Sequence, residues 1–97
     1  MIDQPSPAAP SPPAAGSGGR PRVALLRTTP DGVLDDYARV MRLAGYREAL
    51  DPAAPTALKI NISWQRWYPA CSTAPWQLDG VIRTLLEDGF APDSLYG

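Results

Sequence analysis

Residues Leu58–Leu86 read LKINISWQRWYPACSTAPWQLDGVIRTLL, and the pattern within them decides the fold class. From Ala57 to Ile62, Leu58, Ile60 and Ile62 alternate with Lys59, Asn61 and Ser63, the period-two signature of a strand with one packed face. Leu78, Val81, Ile82, Leu85 and Leu86 then recur at helical spacing. Pro75 suits a first helical turn, Thr73 is a candidate N-cap, and Gly89 suits the position just past the helix end. In parallel α/β proteins, ligands sit where the carboxyl end of a strand leads into a helix N-terminus. Lys59, Asn61, Cys71, Ser72 and Thr73 are the polar groups this corner brings together. They are the candidate ligand-binding residues.

The same alternation of elements extends outward. Val23, Ala24, Leu25 and Leu26 form a short apolar run between Pro21 and Thr28-Thr29-Pro30, which predicts a buried first strand. Asp31 to Ala49 reads as a helix. Val33, Tyr37, Val40, Met41 and Ala44 share a stripe, Asp31 and Asp35 suit the positive end of its dipole, and Gly45 is a weak point or an early stop. Asp51 to Thr56 carries two prolines and must turn. Asp93 to Gly97 opens a third strand. The predicted architecture is α/β, an incomplete β-α-β-α-β parallel-sheet unit over residues 22–97 that forms the first portion of a truncated domain. Right-handed crossovers place both helices on one face, so the other face lacks cover. The expected consequence is marginal stability, exposed Trp and Leu surface, and self-association through it.

Residues 1–21 have a different character. The first 19 hold five of the twelve prolines and three of the eight glycines, with Ala and Ser filling most gaps. Such a composition buries too little apolar area to offset chain entropy and predicts a disordered tail. Pro5, Pro7, Pro10 and Pro13 would also fit a polyproline ligand. Nine basic against ten acidic residues give a net charge of −1, so no basic surplus points to nucleic acid or an anionic membrane. Neither a signal peptide nor an apolar run of spanning length is present, and the expected compartment is the cytoplasm. With one cysteine and no histidine, a self-contained metal or cluster site is not expected in this chain.

What the corner does chemically stays open between several readings. Lys59 and Asn61 point away from the packed face, which fits either an exposed edge strand or a ligand pocket. With the N–H groups of the following helix they would converge on a carboxylate or phosphate, so a small anion is the candidate ligand, although no glycine-rich phosphate loop accompanies them. Cys71 lies where a helix dipole favours a thiolate, but no histidine exists to act as its base, and a lone cysteine packed among aromatics behaves as a small hydrophobe. No complete catalytic signature is present. Trp64, Trp67 and Tyr68 would serve as a stacking platform, a hot spot for a partner protein, or the lid of a small core. Two function classes follow: a ligand-binding or redox-associated domain, and a non-catalytic interaction module using the aromatic loop.

The order of strand, long helix, Lys-x-Asn strand, loop, Thr-x-Pro helix start and apolar helix ending in Gly resembles the N-terminal part of the domain of unknown function 362 family. That family's strand reads like Lys-Pro-Asn-Leu and its helix start like Thr-His-Pro-Glu, matched here by Lys59, Asn61, Thr73 and Pro75. Ile60 stands where the family commonly has proline, Ala74 where it has histidine and Trp76 where it has an acid, which weakens any acid–base role at the corner. The resemblance covers about residues 22–97. It implies an α/β domain of uncharacterised activity, in a family where many members also carry ferredoxin-like cysteine cassettes for iron–sulfur clusters. No such cassette occurs in this sequence.

Overall fold

The computed structural model of the protein describes residues 20–66, 68 and 70–97. The expectation of a disordered tail falls almost wholly on residues 1–19, outside these bounds, as does the expectation for Trp67. In chain order the elements are α1 (Val33–Ala44), α2 (Tyr46–Ala49), β1 (Thr56–Ala57), α3 (Pro75–Glu87), a 3-10 turn (Pro92–Ser94) and β2 (Leu95–Tyr96). The chain is thus mixed α/β, with helices beside a small parallel sheet.

The long first helix is interrupted at Gly45, whose φ of 82° is the left-handed conformation that glycine adopts without a Cβ clash. Gly89, with φ 98°, plays the same part after α3. β1 and β2 pair in parallel, Thr56 opposite Leu95 and Ala57 opposite Tyr96. The Leu58 N–H donates to the Tyr96 carbonyl at 2.7 Å and carries the ladder one residue further. Beyond Leu58 the predicted second strand has no ladder among the described residues, although half-buried Leu58 and Ile60 still alternate with exposed Lys59 and Asn61.

The first predicted strand is a correction. Val23–Leu26 joins no sheet among the described residues. A strand needs a neighbour to hydrogen-bond, and in this segment only side-chain packing is supplied. Leu26 shares a cavity wall with Val33, Tyr37 and Val40 of α1, while Val23 is 83% and Leu25 88% exposed.

The helices pack side by side and run the same way. Gly80 in α3 lies against Tyr37 in α1, and Arg42 in the last turn of α1 bonds Glu87 and Asp88 at the end of α3. The small core comprises Ala38 of α1, Leu85 of α3 and, just past α3, Phe90, whose ring stacks with that of Tyr46 in α2, with Leu85 only 1% exposed. The buried Thr84 hydroxyl is satisfied by donating to the Gly80 carbonyl at 2.7 Å, as a buried polar group requires. The apolar residues of α3 divide into two sets. Leu85 is buried, whereas Leu78, Ile82 and Leu86 line an open apolar cavity of about 310 Å³ with Leu58, Ile60 and Leu95.

Candidate functional site

The corner between the Leu58–Ile62 segment and α3 is closed by a set of reciprocal hydrogen bonds. The Asn61 N–H donates to Thr73 Oγ1 at 2.9 Å and the Thr73 N–H donates to the Asn61 carbonyl at 2.8 Å. Asn61 Nδ2 donates to the Cys71 carbonyl at 3.1 Å and to Ser63 Oγ at 2.7 Å. The Ser63 N–H donates in turn to Ser72 Oγ at 3.2 Å. Four of the five candidate ligand-binding residues, Asn61, Cys71, Ser72 and Thr73, are therefore brought together. Their polar groups hold the two ends of the loop to each other, and Cys71 takes part through its backbone while its half-buried thiol is free.

Lys59 stands apart from this set. Its Nζ donates to the Ile60 carbonyl at 2.7 Å and the residue is exposed. Thr73 is not the N-cap: Ala74 occupies that position, in an extended conformation with no side-chain cap bond, and Pro75 follows inside the first turn. The reason is visible in the Asn61 pairing, which engages the Thr73 hydroxyl. Pro75 has no N–H, and the Gln77 and Leu78 N–H groups both donate to the Ala74 carbonyl, so the first turn of α3 presents fewer donors than an ordinary helix start.

The loop itself carries the exposed aromatics. Trp64 and Tyr68 are 66% and 63% exposed, with ring centroids 6.4 Å apart in a tilted arrangement, a separation typical of paired aromatic rings. A core lid would be buried, so these two rings do not serve as one. Ala70 has φ 65°, a conformation that costs a residue bearing a Cβ about 1 kcal/mol or more. It turns the chain between the aromatic segment and the anchored Cys71–Thr73 stretch.

A feature the sequence reading missed lies at the N-terminal ends of α1 and α3. Thr28, Thr29, Asp31, Asp35, Trp76 and Arg83 are among the residues lining a cleft of about 710 Å³. The segment before α1 is fixed by Thr28, whose hydroxyl donates to Asp36 Oδ2 at 2.7 Å, while Arg39 donates to the other oxygen at 2.7 Å. These bonds, Thr28's first, hold the Asp36 carboxyl below its ordinary range. Arg83 bonds Asp79 at 3.0 Å on its own helix. The available signal is the Thr28-Thr29-Pro30 turn, which by itself marks a strand boundary, followed by Asp31 at the helix start.

At the opposite end of the helix pair the Asp88 carboxylate, almost wholly buried, accepts from Arg42 at 2.9 and 3.1 Å and from the Tyr46 hydroxyl at 2.5 Å. Arg42 first and Tyr46 second hold Asp88 below the usual carboxylate range. Burial, then the Asp88 bond, pushes Tyr46 up to about 12. This group is a clamp between α1, α2 and α3.

Among the described residues no group of three or more Cys, Asp or Glu side chains is placed to hold a metal ion, and no helix is long and apolar enough to cross a membrane. An iron–sulfur cluster does not fit the residues present, because clusters are held by several cysteine thiolates and Cys71 is the sequence's single cysteine. No family model matches the chain, and no curated protein or solved structure is significantly similar to it.

Proposed function

We propose that this chain is the opening β-α unit of a larger α/β domain, of the kind it resembles, that binds a small anionic ligand at the carboxyl end of its strands. One observation carries the reading: α1 and α3 run the same way and their N-terminal ends share a cleft of about 710 Å³, lined by Trp76 in the first turn of α3, which follows the strand-to-helix corner closed by Asn61 and Thr73. In parallel α/β architecture that is the crevice in which ligands bind. Lys59 and Arg66 are exposed positive charges on the segment that leads into the corner and its loop, and among the described residues Lys59 Nζ bonds the Ile60 carbonyl, which it would leave when an anion arrives. Asn61, Ser72 and Thr73 act by holding the loop, and Cys71 has no base for nucleophilic chemistry. The test is calorimetric titration of phosphate, small carboxylates and nucleotides against the intact gene product. Saturable binding that Lys59→Ala weakens supports the reading, and absence of binding by every anion overturns it.

A second reading is favoured by the exposure of Trp64 and Tyr68 on an anchored loop. Here the chain is a non-catalytic module that docks another protein surface through the aromatic loop, with Trp67 between the two rings in sequence. Large aromatics held in place lose little side-chain freedom on binding and dominate interface energetics. Trp64→Ala weakening a partner complex while leaving anion binding intact separates this reading from the first.

A further inference from the structure

Trp64 and Tyr68 form an apolar pair that another part of the same chain is suited to cover. Their rings are 66% and 63% exposed, with centroids 6.4 Å apart and planes inclined by 31°. The loop that carries them is tied across its base through Asn61, Ser63 and Ser72, so the rings are positioned before anything binds. Paired aromatics held in this way are what proline-rich segments dock on, because a polyproline helix is already extended and loses little conformational freedom on binding. Charge adds a direction. From Leu58 to Leu78 the charged side chains are Lys59 and Arg66, both positive, and Arg66 stands between the two rings in sequence.

The 19 residues before Arg20 contain a segment of matching chemistry. Pro5, Pro7, Pro10, Pro12 and Pro13 fall within nine residues, and the one charged side chain of the 19 is Asp3, opposite in sign to Arg66. The segment also has the reach. Arg22 lies over Gly45 at the carboxyl end of α1, whereas the aromatic loop leads into the N-terminal end of α3. Those two ends of the helix pair are separated by about 20 Å, the length of the 13 residues of α3. The seven residues from Arg20 back to Pro13 cover about 22 Å as a polyproline helix, which brings Pro5–Pro13 to the loop. We propose that Pro5–Pro13 docks on the Trp64/Tyr68 pair of its own chain, with Asp3 facing Arg66. The anion site takes no part in this inference, and a partner protein using the aromatic loop must first displace the proline segment.

The test uses the full 97-residue chain with a nitroxide on Cys71, the sequence's single cysteine, whose thiol is free and which lies in the same loop. Nuclear magnetic resonance then reads the loss of amide signal at Ala8 and Ala9, between the prolines. The expected result is a clear loss in the parent chain. Trp64→Ala, a substitution at an exposed position, should restore the signals without altering the circular dichroism. Asp3→Lys should reduce the loss, and Arg66→Glu in the same chain should bring it back. No loss in the parent chain, the same loss in Trp64→Ala, or an unchanged loss in Asp3→Lys would overturn the proposal. So would a loss seen only between a labelled copy and an unlabelled one, which would assign the contact to a second copy of the chain.

Discussion

Gly80 of α3 and Tyr37 of α1 meet with no room for a methyl group between them. A Cβ at Gly80 would lie 2.6 Å from Tyr37 Cδ2 and 2.9 Å from its Cβ, far inside van der Waals contact. Gly80→Ala therefore separates the helices or displaces the ring, at an expected cost of about 1–3 kcal/mol. That exceeds the gain of up to ~1 kcal/mol from better helix propensity. Urea denaturation measures it, and the loss should shrink in a Tyr37→Ala background, which removes the ring contacts and leaves the Cβ contact at 2.9 Å.

Acid should loosen the far end of the same helix pair. Folding holds Asp88 ionised, through Arg42 and then Tyr46. Its contribution is therefore complete above the unfolded carboxyl value of about 3.9 and disappears as pH falls through the lower folded value. Denaturation midpoints taken from neutral pH downward should fall along that limb. Asp88→Asn should be less stable at neutral pH and show a flatter acid limb.

Alkali acts on Tyr46 with the opposite sign. The folded state favours the neutral phenol, raised to about 12, so its contribution is intact below the ordinary value near 10 and is lost as pH climbs toward the folded one. Ultraviolet titration of the phenolate should contain one late phase that Tyr46→Phe removes. The same substitution should cost about 1 kcal/mol at neutral pH, the worth of a typical hydrogen bond.

Thr73→Val keeps the shape of the side chain and deletes the acceptor of the Asn61 N–H. The expected loss is about 1 kcal/mol, with faster exchange of the Asn61 and Thr73 amides. Thr73→Ser, which retains the hydroxyl, should restore both. A change in amide exchange confined to residues outside this loop would show that Asn61 and Thr73 do not hold it closed.

Helices were far more legible in the sequence than strands. The α3 boundaries follow from Pro75, the apolar stripe and Gly89, and the break after α1 follows from Gly45, because a helix satisfies its hydrogen bonds locally. The Ala57–Ile62 pattern marked the alternation of Leu58 and Ile60 with Lys59 and Asn61, but Ile62, expected on the packed face, is exposed, and the Val23–Leu26 run, expected to be buried, alternates instead; strand pairing depends on a neighbouring chain that no local pattern supplies. Among the described residues the Thr56–Ala57 and Leu95–Tyr96 pair, lengthened by Leu58, finds one. At the corner, proximity of Asn61 to Thr73 was readable from the strand-loop-helix order. The use of the Thr73 hydroxyl on Asn61 rather than as a helix cap was not, since both partners have the same sequence signature.

The clamp of Arg42 and Tyr46 on Asp88 has a mechanical corollary. It pins α1 and α3 at their tails, while Gly80 against Tyr37 holds them nearer their heads, so the pair resembles a rod clamped at two points. The 12 residues of α1 make that rod about 18 Å long. Loosening of the tail clamp, whether by acid, alkali or substitution, would reach the cleft that Leu34 of α1 and Trp76 of α3 both line.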